Sequence, residues 1–154
     1  MKIGSIRITL YQRKVRICNA SSKIYDKFRL EKLEKEYESK INEETVLIGH
    51  SLGTPFILNY LEKTGKKIKA AILVAAFYKQ LGIQYDEINK SFVDKQFNWE
   101  KIRQSCGKFF IFNSDNDQWI PLETANELAK TLNAELNIVS NGGHLNKEAG
   151  YVNF

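Results

Sequence analysis

Three residue types in one chain order could carry covalent chemistry: a serine at position 51, aspartates at 115 and 117, and a histidine at 144. A serine hydroxyl is a poor nucleophile at neutral pH until a base takes its proton. An imidazole can take that proton and later return it to a leaving group. A carboxylate on the other ring nitrogen fixes the tautomer and stabilises the imidazolium that forms. Ser51 sits in Gly49-His50-Ser51-Leu52-Gly53, preceded by the apolar run Val46-Leu47-Ile48 and followed directly by an amphipathic segment. Gly-x-Ser-x-Gly is a weak pattern by itself, but between a strand and a helix it reads as a nucleophile elbow. Such a turn is so sharp that a side chain at 49 or 53 would collide with neighbouring backbone, hence glycine at both. The Leu52 amide, at the positive end of the following helix, is then a candidate oxyanion-hole donor. Pro55 suits a first helical turn, where its missing N–H would have had no partner.

The partners would come from two later loops. Phe109–Phe112 leads into Asn113-Ser114-Asp115-Asn116-Asp117-Gln118-Trp119-Ile120-Pro121, and Leu136–Val139 leads into Ser140-Asn141-Gly142-Gly143-His144. Reactive residues of open α/β sheets lie on loops at the carboxyl ends of strands, and the order Ser, Asp, His is that of α/β-hydrolases. Asp115 and Asp117 compete for the carboxylate role, and either could instead simply form a turn. Gly142-Gly143 lets the backbone before His144 pass closely and swing the ring. The other histidine, His50, is expected to pack under the elbow. Trp99 and Trp119 could wall an acyl pocket or pack in the core.

These loops need a scaffold, and the periodicity supplies one. Ile3–Leu10 and Val15–Cys18 read as short strands, residues 19–27 as a polar loop, and Phe28–Ile41 as a helix with Leu30, Leu33, Tyr37 and Ile41 on one face. After the elbow strand, Phe56–Lys63 reads as a helix stopped by Gly65. Ile68–Ala76 is apolar almost throughout, as in a parallel strand covered on both faces. Residues 77–107 are mixed, with a helix expected near Trp99–Ser105, and Phe109–Phe112 is a third buried strand. Leu122–Leu132 is helical, with Leu122, Ala125, Leu128, Ala129 and Leu132 aligned, and Leu136–Val139 is a short strand. Alternating strands and helices predict an α/β fold with a mostly parallel sheet.

Composition narrows the setting. With 154 residues the chain is expected to be a single domain, residues 1–154. No apolar run approaches the roughly 20 residues of a membrane span, and the start lacks the pattern of a secretory signal. Cys18 and Cys106 are too few and too far apart for a disulfide framework or zinc site. A cytoplasmic protein with no membrane partner is the expectation. Residues 1–29 hold eight Lys/Arg against Asp26 alone, a net of +7, so the other 125 residues carry −2. The basicity therefore belongs to an atypical N-terminal segment, residues 1–27, and no basic face with interleaved aromatics argues for nucleic acid.

The motif residues resemble the small single-domain serine hydrolases of the retinoblastoma-binding protein 9 type. The stretches concerned are Glu44–Gly53, Ala71–Ala75, Phe97–Ile102, Asn116–Pro121 and Gly142–His144, within about residues 28–154. The resemblance implies a three-layer, Rossmann-like α/β-hydrolase fold without a large cap, and no metal or cofactor. It implies Ser51 as nucleophile, His144 as base and Asp117 as orienting acid, because Asp117 precedes x-Trp-Ile-Pro as in the family pattern. Two departures accompany it. The chain has no His-Gly turn ahead of the elbow to supply a second oxyanion-hole amide, and it stops ten residues after His144. The expectation is a fold lacking the first strand–helix unit and the last helix. A bare flank of the sheet would favour self-association or a protein partner, and a lost oxyanion donor would slow turnover about 10²–10³-fold. The expected function is hydrolysis of a small carboxylic ester or related acyl substrate through an acyl-enzyme. The alternative is a weak or inactive remnant acting as a protein-binding module.

Overall fold

Parallel neighbouring strands must be joined by crossovers that return the chain to the same edge of the sheet. The computed structural model describes residue 35 and residues 38–151, and within them this pattern repeats three times. Strands β1 (Val46–His50), β2 (Ile68–Val74), β3 (Cys106–Ser114) and β4 (Glu135–Val139) lie in the order β1-β2-β3-β4, every pair parallel. Helix α1 (Gly53–Thr64) makes the first crossover, α2 (Asp86–Val93) and α3 (Trp99–Gln104) the second, and α4 (Leu122–Leu132) the third. A 3-10 turn at Lys147–Ala149 follows β4. All four strands thus point their carboxyl ends at one edge, where the loops bearing Ser51, Asp117 and His144 emerge. The strands expected within residues 3–18, and most of the helix expected over Phe28–Ile41, lie outside the described residues.

The register assigns each strand residue to a face. Leu47, Ala71, Leu73, Phe109 and Ile111 are buried on the face that receives α1. The position of α1 follows from Gly49, where an added Cβ would lie 2.6 Å from the Gly53 carbonyl oxygen and 2.7 Å from Ile57 Cδ1. Helix α1 touches α2 and α3, and α3 touches α4, so the described helices share this face. They bring Phe56, Ile57, Leu58, Leu61, Ile102, Ala125, Leu128 and Leu132 into one core. The opposite face carries Ile48, Ile72, Phe110 and Phe112, each only part-buried, with the Lys108 ammonium 4.5 Å from the Phe110 ring centroid. In β2 itself Ala70 and Val74 on that face are buried and only Ile72 is part-buried, so the strand is largely covered on both sides, as its apolar sequence predicts.

Helix ends follow local chemistry. Gly65 stops α1 in a left-handed conformation, φ 64°, with its N–H on the Leu61 carbonyl. Asn98 caps α3 by accepting the Lys101 amide at 3.0 Å. The span Leu122–Leu132 is the one its periodicity predicts, ending at Asn133 with φ 53°. Strand ends deviate more. β3 runs from Cys106 to Ser114 because Lys108 and its neighbours join the ladder with β2 whatever their polarity. β2 stops at Val74, short of Ala76, because Ala75 turns left-handed at φ 47°. The Ala76 amide then leaves the ladder for the Asn113 side-chain oxygen, 2.9 Å away.

The contact at Gly49 makes a sharp prediction. Gly49→Ala must push α1 off β1, at a cost of about 1–3 kcal/mol as for other overpacked cores. Urea denaturation reads this as a lower midpoint with an unchanged m-value. An unaltered midpoint would mean that the corner is looser than described.

Candidate active site

The elbow is built from backbone. Ser51 has φ 53°, a left-handed conformation that costs a non-glycine residue about 1–3 kcal/mol. It is held there from both sides: its own N–H donates to the Val74 carbonyl, and its carbonyl accepts the Thr54 amide, each at 2.8 Å. Leu52 is the N-terminal cap of α1 and is buried. Amides in a helix's first turn have no carbonyl one turn back, and α1 has no acidic residue in its first turn to occupy its positive end. Pro55 falls within that first turn, as its chemistry predicts.

Asp117 and His144 meet. His144 Nδ1 lies 2.8 Å from Asp117 Oδ2, and the Asp117 side chain is fully buried while the His144 side chain keeps 12% exposure. A carboxylate can only accept, so the shared proton sits on Nδ1, and in the neutral tautomer that arrangement leaves the lone pair on Nε2. The other carboxylate oxygen, Oδ1, accepts the amides of Trp119 at 2.8 Å and Ile120 at 3.2 Å. The turn-forming and ring-facing readings of Asp117 are thus both true, one on each oxygen. Asp115 does not reach the imidazole by either oxygen. It accepts the Ser140 hydroxyl at 3.0 Å and the Asn141 amide at 2.7 Å, and these two donors, the amide foremost, hold its carboxyl below the usual carboxylate range.

His50 is the residue whose place the sequence underplays. It is buried, 8% exposed, and its Nε2–H donates to the His144 carbonyl at 2.9 Å. The two imidazoles meet edge to face with centroids 5.0 Å apart. The neighbour of Ser51 therefore touches the backbone of His144, which ties the elbow to the histidine loop. A polar residue ending an otherwise apolar strand was the available signal, since a buried polar side chain needs a partner. The tryptophans divide. Trp99 packs between Phe97 and Tyr78, with centroids 5.0 and 5.4 Å away. Trp119 meets Tyr85 at 5.3 Å while its amide serves Asp117. Both are part-buried against the core.

Burial pushes the Cys106 thiol up to about 11, which keeps it from the reactive thiolate form at neutral pH. Among the described residues, no three His, Cys, Asp or Glu side chains gather to hold a metal ion. No helix among them is long and apolar enough to cross a membrane.

Known proteins resemble the chain in sequence and in fold. The family model described as "Serine hydrolase" matches residues 14–154. YdeN of Bacillus subtilis is 32% identical over 117 residues, covering 75% of this chain and 60% of YdeN. Serine hydrolase RBBP9 of Rattus norvegicus is 32% identical over 109 residues, covering 71% of this chain and 57% of the relative. The matched part of the chain thus spans about 60% or less of these curated relatives' lengths. The crystal structure of the B. subtilis ydeN gene product superposes with a TM-score of 0.78 at 28% identity, over 88% of this chain and 74% of that one. The meta-cleavage product hydrolase CumD has the same fold, with a TM-score of 0.58 at 12% identity over 76% and 64%.

Burial of Cys106 makes a chemical prediction with a definite sign. Its thiol should be alkylated about 75-fold more slowly in the folded protein than in urea at pH 8.5, the ratio of thiolate fractions for pKa values of about 11 and 9. Between those two values the unfolded chain releases a proton that the folded one keeps, so this group's contribution to stability falls as pH rises. Peptide mapping by mass spectrometry after iodoacetamide treatment reads the rates, and equal rates would refute the burial.

Proposed function

The chain belongs to the serine hydrolase family, and from that premise we propose that it hydrolyses a small carboxylic ester or related acyl substrate. Ser51 is the nucleophile, His144 the base and Asp117 the group that orients it. The observation that carries the proposal is the 2.8 Å contact between His144 Nδ1 and the buried Asp117 carboxylate. It bridges two loops and leaves Nε2 as the free base. His50, joined by its ring to the His144 carbonyl and by its backbone to Ser51, supports the same assignment.

In this reading Ser51 Oγ attacks the acyl carbonyl carbon while its proton passes to His144 Nε2. The carbonyl oxygen becomes an oxyanion facing the Leu52 amide at the start of α1. Collapse of the tetrahedral intermediate breaks the bond to the alkoxide, which leaves with the proton from His144. Water then gives a proton to His144 and attacks the acyl-enzyme ester. A second tetrahedral intermediate releases the carboxylic acid and returns the proton to Ser51. Asp117 stays ionised throughout and steadies the imidazolium. Removing one oxyanion-hole donor typically costs about 10²–10³-fold in turnover.

The second reading is a family member that keeps the fold for binding without turnover. The two separate on one experiment. A fluorophosphonate probe should label the folded protein, and Ser51→Ala should abolish both labelling and p-nitrophenyl ester hydrolysis. Asp117→Asn should slow hydrolysis about 10⁴-fold, as when other triad carboxylates are neutralised. Labelling that persists in Ser51→Ala, or its absence from well-folded wild-type protein, would sink the hydrolase reading.

A further inference from the structure

We infer that Asp115 is a positioning residue for His144, holding by its carboxylate the loop from which the imidazole projects. The inference deepens the reading of His144 as the base and rests on it. Backbone pairing between β3 and β4 ends at Ser114 and Val139, followed by one last bond from the Asp115 amide to the Val139 carbonyl at 3.3 Å. Side chains then continue the ladder. Three successive amides of the histidine loop, Asn141, Gly142 and Gly143, donate to Asp115 Oδ1 at 2.7 Å, Ser114 Oγ at 2.8 Å and Asn116 Oδ1 at 2.8 Å. Asp115 Oδ2 also accepts the Ser140 hydroxyl at 3.0 Å, and Ser114 Oγ donates to Asn116 Oδ1 at 2.7 Å. Residues 114–116 thus hold the backbone of residues 140–143, and Asp117 holds the ring of His144.

The loop needs this restraint. Asn141, Gly143 and Leu145 are all left-handed, with φ of 54°, 56° and 48°, so the backbone alternates in hand on either side of His144. Non-glycine residues leave that region unless their surroundings over-determine it. Gly142 is equally confined, since an added Cβ would lie 2.6 Å from Leu145 Cδ2 and 2.9 Å from Val139 Cγ1. Of the three acceptors, only Asp115 is charged, and hydrogen bonds to an ionised acceptor are shorter and stronger than neutral ones. Its donors lie 25 and 26 residues away, which excludes a purely local turn-forming role. The lowered carboxyl pKa agrees with an acceptor whose charged form is the one bound. Asp115 is also exposed, so its replacement tests the loop without excavating the core, as loss of the buried Ser114 would.

The test compares Asp115→Ala with Asp115→Asn, which keeps the Oδ1 acceptor. In Asp115→Ala, amide hydrogen exchange at Asn141, Gly142 and Gly143 should accelerate about 10-fold or more, and the His144 Nδ1–H proton resonance should broaden or shift. Turnover (kcat) and fluorophosphonate labelling should fall about 10-fold, with KM within about twofold, because the base is displaced and the substrate contacts are not. Asp115→Asn should recover most of each change. Unchanged exchange and an unchanged His144 resonance in Asp115→Ala would overturn the inference, as would a loss of activity that Asp115→Asn does not restore. Ser51→Ala run in parallel separates this from failure of the proposed chemistry. If Ser51→Ala hydrolyses ester like the wild type, the triad reading fails, while exchange and the ring resonance still decide what Asp115 does.

Discussion

The close approach of Gly49 to Gly53 is the constraint from which the rest of the candidate site follows. With 2.6 Å between a hypothetical Gly49 Cβ and the Gly53 carbonyl oxygen, β1 and α1 meet at a corner with room only for backbone. The residue between them must then turn left-handed, and Ser51 does so at φ 53°. That geometry lifts the serine out of the sheet and starts a helix immediately behind it. The strain is local, and what sustains it is the burial of α1 against the sheet, with Ile57, Leu58 and Leu61 fully enclosed.

A second constraint is the parallel sheet, which turns sequence order into spatial adjacency. Ser51, Asp117 and His144 are far apart in the chain, yet each follows the carboxyl end of a strand, and the three strand ends lie along one edge. The sheet alone does not align side chains to hydrogen-bonding precision. That alignment comes from contacts between the loops: His50 on the His144 carbonyl, Asp115 on the Asn141 amide, and Asp117 on the His144 ring. His144 is held at its carbonyl by His50 and at its ring by Asp117, while Asp115 holds the loop backbone three residues before it.

Much of this was legible because much of it is local. Gly-x-Ser-x-Gly between an apolar run and an amphipathic segment has few other uses, and the resemblance to small serine hydrolases drawn from such motifs agrees with the family match. The span of α4 and the stop of α1 at Gly65 follow from side-chain periodicity and from one residue's tolerance of positive φ. Strand ends were less legible, since a ladder recruits any backbone that lies beside it. Lys108 is in β3 by virtue of Ala70 across from it, and Ala75 leaves β2 despite its apolar side chain.

The amino-acid sequence by itself determined the elbow, the alternation of strands and helices, and the order Ser, Asp, His, because each depends on chemistry within a few residues. Residue chemistry alone left Asp115 and Asp117 in competition, since both are short acidic side chains in one turn-rich loop, and the family resemblance favoured Asp117. The tertiary structure shows what each carboxylate faces. Where β4 lies beside β3 decides which aspartate faces the ring of His144 and which faces the backbone before it. That register is set by packing and hydrogen bonding between segments more than twenty residues apart, which no local pattern encodes.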